Sequence, residues 1–247
     1  MNEFQPPDQR YERPKGWQRQ PDAWGSFGVE TAARANVEER MAFVRRVYAL
    51  FFAATLFAIG GVWLGLSFTP LLYFAFEHPV VMLFAMLGGV MGAQAVRHVR
   101  GVNLVALFGF TTLTGLVISP LIALLMYQNP ASIVASGVLT VGIFGGLTVY
   151  VFASKKDFSF MRGMVTTGLI VVVLASLLNF FIVGSGALGF AVAVAALLLF
   201  SGFVLYDTSN IIRRYPTNEY VAGALALYLD AFNIFLALLR ILNAGRR

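Results

Sequence analysis

The apolar positions of this chain come in long uncharged runs, at about 47–68, 79–97, 103–127, 132–153, 163–183 and 186–206, with a seventh, less uniform run at 220–242. Roughly 18 or more apolar residues without charge suffice for a helix to cross the hydrocarbon core of a bilayer. Several such runs in succession predict an all-α, multi-pass membrane protein. Turn-forming residues punctuate them: Pro70, Pro79, Asn129-Pro130, Gly184-Ser185-Gly186 and Pro216. No soluble domain fits between the runs.

The segments before the first run read differently. Residues 1–28 are polar and rich in Pro, Gln and Arg, with too little apolar surface to offset the entropy of ordering, and are expected to be a disordered tail. Residues 29–46 turn to Ala, Glu, Arg and Met, a composition that favours a juxtamembrane helix, with Arg45 and Arg46 at the membrane edge. Residues 47–247 then form the membrane domain. The start lacks the apolar core of a cleavable signal peptide, so the first membrane helix is expected to act as its own insertion signal.

Composition agrees with this division: 58% of the 247 residues are apolar and 12% charged, far from a soluble domain. The net charge of +6 is spread over the tail and short connections instead of forming one patch, which gives nucleic-acid binding little support. Its distribution speaks to orientation. Arg97 and Arg100, then Lys155, Lys156 and Arg162, then Arg213 and Arg214 mark alternate connections, whereas 69–78, 128–131 and 184–186 contain no Lys or Arg. Basic connections stay cytoplasmic, so the N-terminus is expected there. The run at 220–242 is long enough to cross fully, although this carries Arg240, Arg246 and Arg247 to the other side. Glycines at four-residue spacing, Gly61 and Gly65, Gly88 and Gly92, Gly142 and Gly146, are expected to be sites of close helix packing.

Only five acids lie beyond residue 46: Glu77, Asp157, Asp207, Glu219 and Asp230. Asp207 and Asp230 alone fall in membrane segments. A charge at the bilayer centre costs about 2.5–3.5 kcal/mol even on the lenient insertion scale, so each must face a cavity, a partner or water. If the sixth and seventh helices form a hairpin around "YPTN", the two acids differ in depth by only about 6 Å and can meet. Two carboxyl groups at close range in low dielectric cannot both ionise readily, so the pair should titrate as a unit and can act as a pH sensor. Asn233 shares the helical face of Asp230, and Tyr206 and Tyr228 neighbour the acids in sequence. Arg97 can either reach inward to bridge carboxylates or snorkel to lipid phosphate.

Other chemistries have less support. The chain has no cysteine, and two carboxylates without His or Cys suit weak, transient Ca²⁺ contact better than zinc, so no resident cofactor is expected. There is no G-x-S-x-G, H-E-x-x-H, Walker loop or dinucleotide-binding glycine motif, and hydroxyls such as Thr111, Thr112 and Thr114 have no base near them in sequence. No enzymatic activity is expected. Asp157 in "SKKDFSF" is expected to be a solvated charge or a helix cap.

"LYDTSNII" followed by "ALALYLDAFNIFLALLRIL" resembles the C-terminal signature of the Bax inhibitor-1-like, or transmembrane Bax-inhibitor-motif, family in its bacterial branch, with "SKKDFSF" in support. The resemblance implies a seven-transmembrane-helix bundle around a central C-terminal helix, in the cell (inner) membrane. It implies a pH-sensitive calcium leak, with Asp207 and Asp230 as the sensor pair and Arg97 in "AVRHVRG" as the latch of the closed state; Arg100 matches less well. A glutamate that some members bury in the second helix has no counterpart in "VMLFAMLGGVMG". Some Gram-negative relatives instead bind a membrane-anchored ATP-dependent protease through a flexible N-terminal tail, and the tail here implies that alternative, a non-conducting regulator.

Overall fold

In hydrocarbon every backbone N–H and C=O must find its partner within the protein, which for an open chain means helices. The computed structural model describes residues 37–244 and is helical there apart from short connections. The first helix, α1 (Val37–Ser67), begins ten residues ahead of its apolar run, with Glu38 and Glu39 in the first turn where the helix dipole favours acids. Residues 37–46 of the expected juxtamembrane helix are thus the opening turns of the first spanning helix. The expected tail at 1–28 and the segment 29–36 lie outside the described residues.

Residues 69–78, expected as a turn, form a further helix, α2 (Thr69–Glu77), bent by 95° from α3 (Pro79–Ala95). Pro70 sits in the first turn of α2, where a missing N–H costs nothing, whereas Pro79 pushes His78 out of helical geometry and forces the break. Next come α4 (Val102–Gln128), which starts after Gly101 at φ 84°, and α5 (Pro130–Ser154). A 3₁₀ turn at Ser159–Met161 leads into α6 (Arg162–Leu178), which a π-helical turn at Asn179–Val183 extends. The last two helices are α7 (Gly186–Arg213), which runs well past the expected end near 206, and α8 (Tyr220–Asn243). Among the described residues six spans are long and apolar enough to cross a membrane, and the α2–α3 pair makes a seventh when its two bent halves are counted as one span. The chain is a multi-pass helical membrane protein.

Helix α8 forms the centre. Half of its apolar stretch is buried, against 6% for the α6 span, and α1, α4, α5 and α7 all pack on it. Val221, Ala224, Leu225 and Tyr228 of α8 join Phe43, Val47, Phe51 and Ala54 of α1 in one core. The closest helix approach is between α1 and α4, where a Cβ added at Gly115 would stand 1.9 Å from the Ala58 carbonyl oxygen and one at Gly61 2.0 Å from that of Thr112. Gly65 packs equally tightly on Ser119. The other expected packing glycines, Gly88, Gly92, Gly142 and Gly146, have nothing within 4 Å of an added Cβ, so their spacing does not mark an interface.

The basic connections gather at one end of the bundle. Arg46 lies over the Tyr220 ring, His98 pairs with Glu219, and Arg214 pairs with Asp157. This common end is the structural counterpart of the alternating charge in the sequence. At the opposite end, Asn129 Nδ2 donates to Asn243 Oδ1 at 2.9 Å, tying the start of α5 to the end of α8.

Candidate functional site

The turn at Tyr215–Glu219 folds α8 back along α7, and this hairpin brings Asp207 and Asp230 together. Their carboxyl groups interact directly, side chain to side chain. Asp230 is 3% exposed, on the central helix, and its Oδ2 has no hydrogen-bond partner among the described residues; Asp207 is half-buried. A hydrogen bond between two carboxyl groups requires one proton, because a carboxylate only accepts. The site is a pair of facing carboxyl groups, with one Asp230 oxygen left without a protein partner among the described residues.

One residue not singled out in the sequence lies beside it, and a His98–Glu219 contact lies at the same turn. Tyr215, in the α7–α8 turn, lies within the electrostatic reach of Asp207, Glu219, Asp230 and Arg97. Burial above all, and then the three acids, push its phenol above the usual tyrosine range, while Arg97 opposes them, so the hydroxyl remains a donor. His98 Nδ1 lies 3.5 Å from Glu219 Oε1, and its Nε2 accepts from Arg97 Nε at 2.9 Å. This contact links the turn after α3 to the start of α8. Nothing in the local sequence marks Tyr215, since its position follows from how the turn folds back.

Arg97 is exposed and bonded to His98, and among the described residues neither aspartate is its partner. The expected latch is thus bonded to His98 and reaches the site only through its electrostatic influence on Tyr215. Tyr228 does not face the acids: its hydroxyl is hydrogen-bonded to Thr114 of α4, and its ring stacks on Phe232 with centroids 5.8 Å apart. Asn233 turns its amide back onto the Leu229 carbonyl at 2.8 Å. Tyr206 packs beside Phe158, Met161 and Val165. Arg100 is exposed in the α3–α4 turn.

Asp157 organises the connection between α5 and α6. Its Oδ1 accepts from Ser159 N at 2.9 Å and its Oδ2 from Arg214 Nη2 at 3.0 Å. The Ser159 amide, first, and the Arg214 guanidinium hold its carboxyl below the usual range, at about 2. Arg213 donates to the Lys155 carbonyl, and Ser209 Oγ accepts from Phe158 N at 3.1 Å, so the "SKKDFSF" stretch is moored to the end of α7. Among the described residues no group of three or more His, Cys, Asp or Glu side chains is placed to hold a metal ion. Two carboxylates provide few of the six to eight oxygens Ca²⁺ takes.

Comparison with known proteins agrees with the C-terminal signature. Residues 40–247 match the family model described as inhibitor of apoptosis-promoting Bax1. The chain is similar to an uncharacterized protein of Campylobacter jejuni, 39% identical over 82% of this chain and 88% of that one. It is also similar to protein lifeguard 4 of Mus musculus, at 34% identity over 86% of this chain and 89% of the relative. The Golgi anti-apoptotic protein of Vaccinia virus is 31% identical over 88% of this chain and 91% of its own. With the match running from the early turns of α1 through α8, the chain belongs to the Bax inhibitor and lifeguard family of membrane proteins.

Proposed function

We propose that the α7–α8 pair gates a slow leak of Ca²⁺ or other cations across the cell inner membrane, with the basic end of the bundle and the N-terminus facing the cytoplasm. The observation that supports this reading is the direct contact of Asp207 with Asp230 inside an otherwise uncharged helical core. With one proton between them the acids hold α7 and α8 together. Once that proton leaves, two negative charges face each other in low dielectric, and the pair must either part or draw a cation between its oxygens. Either response couples proton occupancy to the packing of α7 on α8. Arg97 and Tyr215 set the local field, and the His98–Glu219 contact ties the turn of the hairpin to the end of α3.

The test is Ca²⁺ flux into dye-loaded liposomes containing the purified full-length chain, measured across pH. Wild type should show pH-dependent flux, and Asp207→Asn and Asp230→Asn should each flatten or displace the profile. Identical profiles for wild type and both variants would remove the sensor. Absence of flux at every pH would favour the regulator reading, for which co-purification of a membrane-anchored protease with and without residues 2–28 is the measurement.

A further inference from the structure

At the end of the bundle opposite the basic connections, a cavity of about 730 Å³ opens between α2, α3, α4, the α6–α7 connection and the end of α8. This is within the roughly 300–1,000 Å³ range of small-molecule sites. Its walls are apolar over most of their extent, with Met82, Met86, Val117, Leu121 and Phe190 among them. Polar groups appear in one place, where Asn179, Ser185, Arg240 and Asn243 converge.

The side chains of that polar pole lean towards donation. Asn179 Oδ1 is occupied by the Ser185 amide at 3.0 Å, Ser185 Oγ by the Leu188 amide at 3.3 Å, and Asn243 Oδ1 by Asn129. Each of these acceptors already holds one donor of the protein. Donors remain: the Asn179 amide nitrogen, the Ser185 hydroxyl hydrogen and the guanidinium of Arg240, which has no ion-pair partner among the described residues. No acid lines the cavity. A donor-rich pole with one fixed positive charge selects an anion, and its planar guanidinium suits phosphate in particular. A choline or ethanolamine group would meet no carboxylate and would face the Arg240 charge.

We propose that this cavity is a binding site for one anionic glycerophospholipid, with an acyl chain along the Met82–Leu121 wall and the phosphate on Arg240. Arg240 sits in the last turn of α8, the end of an apolar spanning helix, where basic side chains commonly meet headgroup phosphates. The flanking helices give the ligand lateral access, because α2 and α6 are exposed to the bilayer over most of their length. The π-helical turn at Asn179–Val183 presents Asn179 to the cavity, with its Nδ2 close beside Gly189.

The experiment uses the full-length chain in nanodiscs of equimolar phosphatidylcholine and phosphatidylglycerol, released into mild detergent for native mass spectrometry. Wild type should retain one phosphatidylglycerol per chain. Arg240→Gln should lower the preference for it over phosphatidylcholine by about tenfold, the worth of one charge-assisted hydrogen bond, and Arg240→Lys should restore part of it. Leu121→Trp, which fills the apolar part, should expel both lipids, and inorganic phosphate should displace neither. Titrated phosphatidylglycerol should raise the melting temperature of wild type and not of Arg240→Gln, provided both elute as folded, monodisperse species. Equal retention by wild type and Arg240→Gln, full occupancy in Leu121→Trp, absence of headgroup preference in wild type, or displacement by inorganic phosphate would overturn the proposal.

Discussion

Asp207 on α7 meets Asp230 on α8 carboxyl to carboxyl, and a hydrogen bond between them takes one proton. The two positions are therefore coupled and cannot be treated as independent sites. The stability effects of Asp207→Asn and Asp230→Asn should not add: the double variant should differ from the sum of the singles by about 0.5–3 kcal/mol, the range for residues in one hydrogen-bond network. Thermal unfolding of all four proteins in one detergent measures this, and additive effects would show that the contact carries no energy.

Close helix approach makes glycine necessary at Gly115 and dispensable at Gly142. An added Cβ at Gly115 would collide with the Ala58 backbone of α1, which cannot move as a side-chain tip could, whereas Gly142 has open space around it. Gly115→Ala should destabilise by about 1–3 kcal/mol or more through overpacking. Gly142→Ala should be neutral, or stabilise by up to about 1 kcal/mol through helix propensity. Melting temperatures in detergent that fall equally for both would contradict the packing.

Tyr228 should behave as an anchor between α8 and α4. Removing its hydroxyl in Tyr228→Phe leaves Thr114 with its bond to the Thr111 carbonyl, so the cost should be about 0.5–1.5 kcal/mol. Tyr206→Phe should change stability by less than about 0.5 kcal/mol. The flux profile should be affected by neither as strongly as by the aspartate variants.

The Asp157 carboxyl, held at about 2 by the Ser159 amide and Arg214, contributes stability that is fully present above the ordinary carboxylate range. That contribution is lost as pH falls from about 4 towards 2, when the folded form is protonated. Because the pair is largely solvent-exposed, screening keeps the effect small. Asp157→Asn should speed amide hydrogen exchange over residues 154–161 at neutral pH and leave α8 unchanged. Equal protection in the variant at neutral pH would show that the carboxylate does not hold the loop.

The spanning segments and the basic end were legible in the chain because lipid judges each segment by itself: a run of uncharged residues crosses, and a cluster of Lys or Arg stays on one side. The two membrane acids were legible for the same reason, since burying a charge is costly wherever it falls. The helix at Thr69–Glu77 was less so, because Pro70 and Pro79 read equally as turn signals and as the start and stop of a helix.

Sequence alone determined which segments lie in the membrane, that α7 and α8 could form a hairpin, and that Asp207 and Asp230 needed partners. Tertiary structure decided which faces meet. In a soluble protein the buried face of a helix is the apolar one, but here both lipid and core accept apolar residues, so hydrophobicity cannot tell them apart. Shape and hydrogen bonding choose instead: Gly61 packs on α4 while Gly142, in an equally regular pair, has open space where a Cβ would stand. For the same reason only the folded chain could set Tyr215 beside the acids, give Arg97 to His98, and turn Tyr228 to Thr114.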